Sequence, residues 1–204
     1  MAKFAPVGVA QETLKDEIVS IYSRVAEEPG GDFHFNRGAG YAAETLGYDA
    51  EELALLPTGS TSSFAGVGNP FVGEPIEEGA TVLDIGCGAG MDVLIAARRV
   101  GPRGKVIGVD FTESMRRRAN KSAAALGLEN VQILSGDALS LPVEDETVDV
   151  VISNGVINLT PNKLRAFREI ARVLKPGGRL QIADIVLAED LSERARSDID
   201  LWTG

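Results

Sequence analysis

The stretch Val82-Leu83-Asp84-Ile85-Gly86-Cys87-Gly88-Ala89-Gly90 decides the fold of this 204-residue chain. Apolar residues lead into an aspartate, three glycines then alternate with small residues, and Met91 to Val100 has the pattern of a helix. Glycine adopts backbone angles that other residues resist and lets a ligand approach the main chain. The start of the following helix presents unpaired N–H groups. The stretch therefore predicts a buried strand, a glycine-rich turn and a ligand site.

Strands and helices alternate along the rest of the chain. Strands are predicted at Thr81–Ile85, Lys105–Val109, Val131–Leu134, Val148–Ser153 and Arg179–Val186, and helices at 91–100, from Thr112 to about Leu126, and after Thr160-Pro161. Thr160 is expected to cap the last helix, which would turn Leu164, Phe167, Ile170 and Leu174 to the core. This order predicts an α/β fold with a doubly wound, mostly parallel sheet.

Residues 1–75 lack this alternation and are predicted to form a helical N-terminal extension. Apolar residues recur at helical spacing from Thr13 to about Ala26, and Asp49 has the position of an N-cap for a later short helix. Residues 58–75 are rich in Gly, Ser, Thr and Pro, which predicts a long loop that could act as a lid. Residues 76–204 would form the core domain.

Composition limits the classes of partner. The formal net charge is −10, which argues against nucleic acid and against an anionic membrane surface. A single cysteine permits no internal disulfide and fits a reducing cytoplasm. The first ten residues lack an apolar run of signal-peptide length, and no stretch reaches the length of a membrane span. A cytoplasmic protein that binds a small molecule is expected.

Two classes of ligand compete for the glycine turn. A dinucleotide fingerprint reads G-x-G-x-x-G, whereas here Met91 stands where its third glycine would be. The pattern Asp-x-Gly-x-Gly-x-Gly, from Asp84 to Gly90, resembles the first motif of class I S-adenosylmethionine (SAM) methyltransferases. Asp110 follows 20 residues after Gly90 and ends the second strand, where a carboxylate can accept both ribose hydroxyls.

This resemblance implies a set of cofactor-binding residues. Asp84 would lie by the SAM ammonium group, and the turn would pass under the ribose and the methionine. Phe111 and Met115 would clasp the adenine, with core packing as the alternative role for Met115. An acid near the adenine amino group is expected after the third strand, and Asn154 would lie beside the reacting methyl. The full set is Asp84, Gly86, Cys87, Gly88, Gly90, Asp110, Phe111, Met115, Gly136, Asp137, Ala138 and Asn154.

Longer segments narrow the resemblance. The stretches Ser63–Pro70, Val109–Thr112, Ile152–Pro161 and Ile199–Trp202 are similar to the arsenite methyltransferase family, which implies a bacterial or archaeal cytosolic enzyme. That family holds arsenic with cysteine thiolates, which suit a soft ion. Val67 and Gly155 stand where two of these cysteines would be, and a third would fall at or beyond Gly204. The only thiol, Cys87, is interpreted as a packing residue of the turn.

The mechanism implied is in-line methyl transfer to a small-molecule acceptor, without a metal or a covalent nucleophile. Candidate residues lining the methyl-transfer site are Asn154, Asn158, Tyr22 and His34, the last as a general base or an ordinary loop residue. Alternatives are arsenite methylation with exogenous thiols, a SAM-binding protein without catalysis, and a dinucleotide-linked oxidoreductase.

The number of residues after the fifth predicted strand bears on whether the protein forms a dimer. Class I methyltransferases close the sheet with an antiparallel hairpin after the fifth strand, and only 18 residues follow Val186. A helix of about 11–12 residues and two strands of about 5–6 would not fit there, so the hairpin is expected to be missing. An open edge at the fifth strand then predicts a homodimer.

Overall fold

The computed structural model describes residues 11–186. Its sheet has five strands within these residues: β1 (Thr81–Ile85), β2 (Lys105–Asp110), β3 (Val131–Ser135), β4 (Val148–Asn154) and β5 (Leu174–Ala183). The helices are α1 (Gln11–Glu27), α2 (Gly38–Glu44), α3 (Ala50–Ala54), α4 (Thr58–Thr61), α5 (Met91–Val100), α6 (Glu113–Ala125) and α7 (Lys163–Val173).

The predicted parallel, doubly wound sheet is confirmed. The strand order is β3-β2-β1-β4-β5, and each neighbouring pair is parallel. Helix α5 packs Val93, Ala97 and Val100 on one face, and α7 packs Ile170 and Val173 on the other. The chain reverses its direction of winding between β1 and β4, so a crevice opens at the carboxyl ends of these two strands.

The last helix begins later than predicted, and of the four residues expected on its buried face only Ile170 is buried. Asn162 is the N-cap, and its side chain accepts a hydrogen bond from the Arg165 amide at 3.0 Å. Ala166, Ile170 and Val173 are buried, whereas Leu164 is 62% exposed and Phe167 is 43% exposed. Ile170 belongs both to the predicted stripe and to the stripe that is buried, which also contains Ala166 and Val173. The small Ala166 side chain lets the helix lie close to the sheet.

The last strand was predicted at Arg179–Val186, whereas β5 begins at Leu174 and ends at Ala183. Leu174 pairs with Val148 and Arg179 pairs with Val150, so residues 175–178 are looped out of the ladder. The pairing then continues to Ala183, opposite Asn154.

The N-terminal segments pack on the α5 side of the sheet. Asp49 caps α3 as predicted and accepts hydrogen bonds from two amides of the first turn. Residues 58–75 are not the continuous loop that was expected, because they include α4 and a 3-10 turn at Pro70–Val72. Tyr48, Leu53 and Phe64 form an apolar cluster with Met91, Leu94 and Ile95 of α5.

One arginine ties α1 and α4 to α6. The Arg118 guanidinium donates hydrogen bonds to the carbonyl of Ala26, to the carbonyl of Gly59 at 2.9 Å and to Ser62 Oγ at 3.1 Å. These contacts fix the end of α1 against α6, so that the earlier turns of α1 lie over the crevice.

No helix within residues 11–186 is long and apolar enough to cross a membrane. The expected absence of a closing hairpin and the resemblance at Ile199–Trp202 concern residues outside the described range.

Candidate functional site

A cavity of about 300 Å³ lies at the carboxyl ends of the central strands and is covered by α1. It is bordered by the glycine turn and by the segments that follow β2, β3 and β4. Most of the predicted residues line it: Asp84, Gly86, Cys87, Gly88, Asp110, Phe111, Met115, Gly136, Asp137, Ala138, Asn154 and Tyr22. Gly90, Asn158 and His34 are not among its lining residues.

The glycine turn follows β1 and crosses the end of β2. The amides of Gly86 and Cys87 both donate to the Val109 carbonyl, at 2.8 and 3.1 Å. Gly86 has φ +69°, and a Cβ there would lie 2.3 Å from Val156 Cγ2, so both its conformation and its close packing require glycine. Cys87 is buried beside Val93 and Ala96, which agrees with its interpretation as a packing residue.

Asp110, at the end of β2, is fixed by backbone donors. Its Oδ2 accepts from the Gly88 amide at 2.9 Å, and its Oδ1 accepts from the Thr112 amide at 2.7 Å. Burial raises its pKa, and the hydrogen bonds from these amides oppose that shift. Each oxygen keeps a lone pair for a further donor, which matches the two hydroxyls of a ribose.

Asp84 lines the cavity with an unpaired carboxylate. It is 3% exposed, and no described residue donates a hydrogen bond to its side chain. Burial raises its pKa well above the usual range, and the nearby Asp92 and Asp110 add to the shift. A buried carboxylate without a partner is costly, so the arrangement favours a cationic ligand.

Asp137 lies under α1. Its Oδ1 accepts from the Leu139 amide at 2.9 Å, and its Oδ2 pairs with Lys15 Nζ at 3.1 Å. The Lys15 ammonium also lies 5.2 Å from the centre of the Phe111 ring. Lys15 therefore lies at the place where the adenine was predicted.

Met115 combines the two roles that the sequence left open. It is 1% exposed and packs against Val25, Ala26 and Ala89, yet it also lines the cavity. One methionine is thus both a core residue and part of the cavity wall.

The fold places three of the candidates for the methyl-transfer site, Tyr22, His34 and Asn158, in different surroundings. Tyr22 lines the cavity, and burial, with a smaller contribution from Asp110, raises its pKa to about 12, so its phenol stays neutral. His34 is exposed and lies edge-on to Phe35, with ring centres 5.2 Å apart. The Asn158 amide donates to Asp184 Oδ2 at 3.1 Å.

Two residues of this region were not found from the sequence. Asp92, in the first turn of α5, is 5% exposed and lines the cavity, and Tyr48 donates to its Oδ1 at 2.8 Å. Asn154 donates to its Oδ2 at 3.2 Å. An acid at the start of the otherwise apolar run Met91–Ala97 was the available signal for Asp92, whereas nothing local marks Tyr48.

Comparisons with known proteins agree with this geometry. A family model described as "Methyltransferase domain" matches residues 76–203. The arsenite methyltransferase of Halobacterium salinarum is 45% identical over 162 residues, which cover 79% of this chain and 41% of that protein. The demethylmenaquinone methyltransferase of Bacillus cytotoxicus is 37% identical over 105 residues, which cover 52% of this chain and 44% of that protein.

Two solved structures are also similar. The arsenic(III) S-adenosylmethionine methyltransferase CrArsM of Chlamydomonas reinhardtii matches with a TM-score of 0.65 and 38% identity, over 72% of this chain and 52% of that one. A SAM-dependent methyltransferase from Aquifex aeolicus matches with a TM-score of 0.51 and 32% identity, over 58% of this chain and 64% of that one. This chain spans less than half the length of the two curated relatives described.

Proposed function

Since the chain belongs to the methyltransferase-domain family, we propose that it binds SAM in the cavity at the glycine turn and transfers the SAM methyl group to a small molecule. The unpaired, buried Asp84 carboxylate carries this proposal, because it needs a cationic partner and SAM bears an ammonium group. The relatives are named for methyl transfer, which favours an enzyme over a binding protein without catalysis.

The chain's own residues fit this cofactor in three places. Asp84 would bind the ammonium group, Asp110 the two ribose hydroxyls, and Asp137 the adenine amino group once Lys15 yields or shares its oxygen. SAM supplies an electrophilic methyl group for in-line displacement. The protein contributes position and exclusion of water, since α1 and the buried walls cover the cavity.

Calorimetry with SAM, S-adenosylhomocysteine and NAD tests the proposal. Binding of the two adenosyl ligands without binding of NAD is the expected result. Binding of NAD alone would instead support the dinucleotide alternative. Release of labelled methyl from SAM with a panel of small acceptors then tests catalysis.

The acceptor is proposed to be small and largely apolar. Besides the cofactor candidates, the lining includes the apolar residues Ile18, Phe64, Val156 and Leu159 together with a smaller number of polar side chains, among them Ser60, Ser63 and Thr160. Tyr22 is neutral and His34 lies outside the cavity lining, so an acceptor with its own reactive lone pair suits the site best. The net charge of −10 disfavours nucleic acid as acceptor.

The two positions at which the resemblance places arsenic-binding cysteines are neighbours in space. A Cβ at Gly155 would lie 3.3 Å from Val67 Cγ1. In this chain the space is filled by valine, which offers no ligand to a soft ion. An acceptor other than arsenite bound by protein thiolates is therefore proposed.

Restoring the thiols is expected to create an arsenite-binding site. The double variant Val67→Cys/Gly155→Cys should bind As(III) at least about tenfold more tightly than the unmodified chain in equilibrium dialysis with reductant, because two soft thiolates can share the ion. Gly155 has φ +68°, so a side chain at this position will cost about 1–2 kcal/mol of stability. Val67→Cys alone is the control, and equal arsenite binding by both variants would contradict the expectation.

SAM binding is expected to weaken at acid pH. Burial raises the pKa of Asp92 to about 6, and that of Asp84 also lies above its usual range. A carboxyl whose pKa is raised by folding lowers the stability of the ligand-free protein as the pH rises from about 4 to 6. A bound cation stabilises the ionised carboxylate, so the cation binds more tightly as the pH rises. SAM affinity should therefore rise with pH across the range in which Asp92 titrates, from about pH 5 to pH 7. The measurement is the SAM-induced shift in melting temperature at each pH, and a shift that does not depend on pH would refute the linkage.

The expected homodimer, the cytoplasmic location and the lid role of the N-terminal extension remain proposals. The described part of β5 has one neighbour, β4, and its other edge offers unpaired backbone groups for a second copy. A monomeric mass by light scattering at micromolar concentration would exclude the homodimer. The single cysteine supports a cytoplasmic location. Ser60, Ser63 and Phe64 line the cavity, which supports a lid role for residues 58–75 within the proposed 1–75 extension, next to the 76–204 core.

A further inference from the structure

Asn154, at the end of β4, lines the cavity, and its side chain forms hydrogen bonds with a backbone segment. Its Oδ1 accepts from the Val67 amide at 2.8 Å and lies 3.3 Å from the Gly68 amide. Its Nδ2 lies 2.8 Å from the Gly68 carbonyl. One carboxamide therefore holds the segment formed by residues 65–68, here called the wall loop, against the end of the sheet.

A buried carboxylate and a phenol orient that carboxamide. Asn154 Nδ2 lies 3.2 Å from Asp92 Oδ2 and 3.0 Å from Tyr48 Oη, and Tyr48 in turn donates to Asp92 Oδ1. Because a carboxylate only accepts hydrogen bonds, it draws the NH₂ end of Asn154 towards itself. The oxygen of Asn154 must then face the amides of the wall loop.

The wall loop packs closely against Asn154 and Phe64. A Cβ at Gly66 would lie 2.4 Å from Asn154 Nδ2 and 2.4 Å from Phe64 Cζ. Ala65 and Gly66 line the cavity beside Gly155 and Val156, the residues that follow β4. The position of the wall loop therefore sets the shape of this end of the cavity.

We propose that Tyr48, Asp92 and Asn154 form a positioning unit that holds the wall loop and thereby fixes the acceptor side of the cavity. The inference rests on the proposed function, because it takes this end of the cavity as the place where the acceptor binds. Asn154, expected beside the reacting methyl, would then act on the acceptor side through the wall loop. It joins segments that are far apart in the chain: the one after α2, the first turn of α5 and the end of β4.

NMR-detected hydrogen exchange of the ligand-free chain tests the unit. Asn154→Ala and Tyr48→Phe should each speed exchange of the Val67 and Gly68 amides at least about tenfold, while the β1 amides stay at their original rates. Tyr48→Phe keeps the ring that packs edge-on to Phe64, so it removes the hydroxyl alone. Tyr41→Phe is the matched control, because the Tyr41 hydroxyl makes no hydrogen bond with a described residue.

The titration of Asp92 separates positioning from simple packing. Tyr48 and Asn154 donate to this carboxylate, Arg99 on α5 favours its charge, and Glu52 on α3 and Asp84 on β1 oppose it. Loss of the Tyr48 hydroxyl should therefore move the Asp92 carboxyl titration, followed by carbon NMR, to higher pH, and Tyr41→Phe should leave it in place.

Unchanged exchange of Val67 and Gly68 in both variants would overturn the proposal. Faster exchange without a shift in the Asp92 titration would overturn it too, because Tyr48 would then act only by packing. Both readouts use the protein without SAM. A failure of SAM to bind the unmodified chain in calorimetry would instead count against the proposed function and leave the test of the unit intact.

Discussion

Replacing Asp110 with alanine is expected to weaken SAM binding by about 10- to 150-fold, or ~1.5–3 kcal/mol. The proposed role of this carboxylate is to accept both ribose hydroxyls, and hydrogen bonds to a charged group are about twice as strong as neutral ones. Its two oxygens are already aligned by the Gly88 and Thr112 amides, so the ligand would meet a fixed acceptor. Titration calorimetry with SAM gives the affinity of each protein directly.

The control must separate lost ligand contacts from a loosened turn, because Asp110→Ala also removes the acceptor of the Gly88 amide. Melting temperatures of the ligand-free variants show whether calorimetry is done on folded protein. Asp16→Ala removes one negative charge from an exposed position on α1 and should change SAM affinity less than about twofold. If Asp110→Ala and Asp16→Ala bind SAM alike, the ribose assignment is wrong.

The sheet and the main carboxylates could be predicted because their signals are local. Asp84 and Asp110 lie at or near the ends of their strands, and an aspartate at such a position lies at the carboxyl edge of a parallel sheet. This placement does not depend on contacts with distant parts of the chain. The strand order then brings these edges together in one crevice. For this reason, 12 of the 15 predicted site residues border one cavity.

The network around Asn154 could not be predicted in this way. Tyr48 lies 106 positions before Asn154, and only the packing of the segment after α2 on α5 brings the two side chains together. The sequence indicated a polar residue beside the cavity but not its partners. The expectation that Asn154 lies beside the reacting methyl stays a prediction, and the positioning role that we propose for it rests on contacts seen only in the structure.

The buried face of α7 illustrates a different limit. Leu164 and Phe167 are more apolar than Ala166, yet Ala166 is the buried residue. Hydrophobicity ranks side chains by the gain on burial, whereas the distance between a helix and a sheet also depends on side-chain size. The apolar pattern of the sequence does not give the distance between α7 and the sheet, so it could not predict that Ala166 is buried.

Gly86→Ala is expected to lower the free energy of unfolding by about 2–5 kcal/mol. A methyl group there would lie 2.3 and 2.8 Å from the two Cγ atoms of Val156, a stiff side chain that cannot move away through a flexible end. Overpacking costs about 1–3 kcal/mol, and the left-handed backbone at φ +69° costs about 1–2 kcal/mol more. Urea unfolding of the ligand-free protein measures the loss.

Gly88→Ala is the matched control, because Gly88 has the same left-handed backbone but open space around its Cα. Its φ is +52°, and a Cβ there would meet no atom within 4 Å. Gly88→Ala should therefore cost only about 1–2 kcal/mol of stability. Gly88 also lines the cavity, so the added methyl group would enter the space proposed for SAM and should lower SAM affinity at least about tenfold. Equal losses of stability in the two variants would show that backbone strain alone, and not the contact with Val156, requires glycine at position 86.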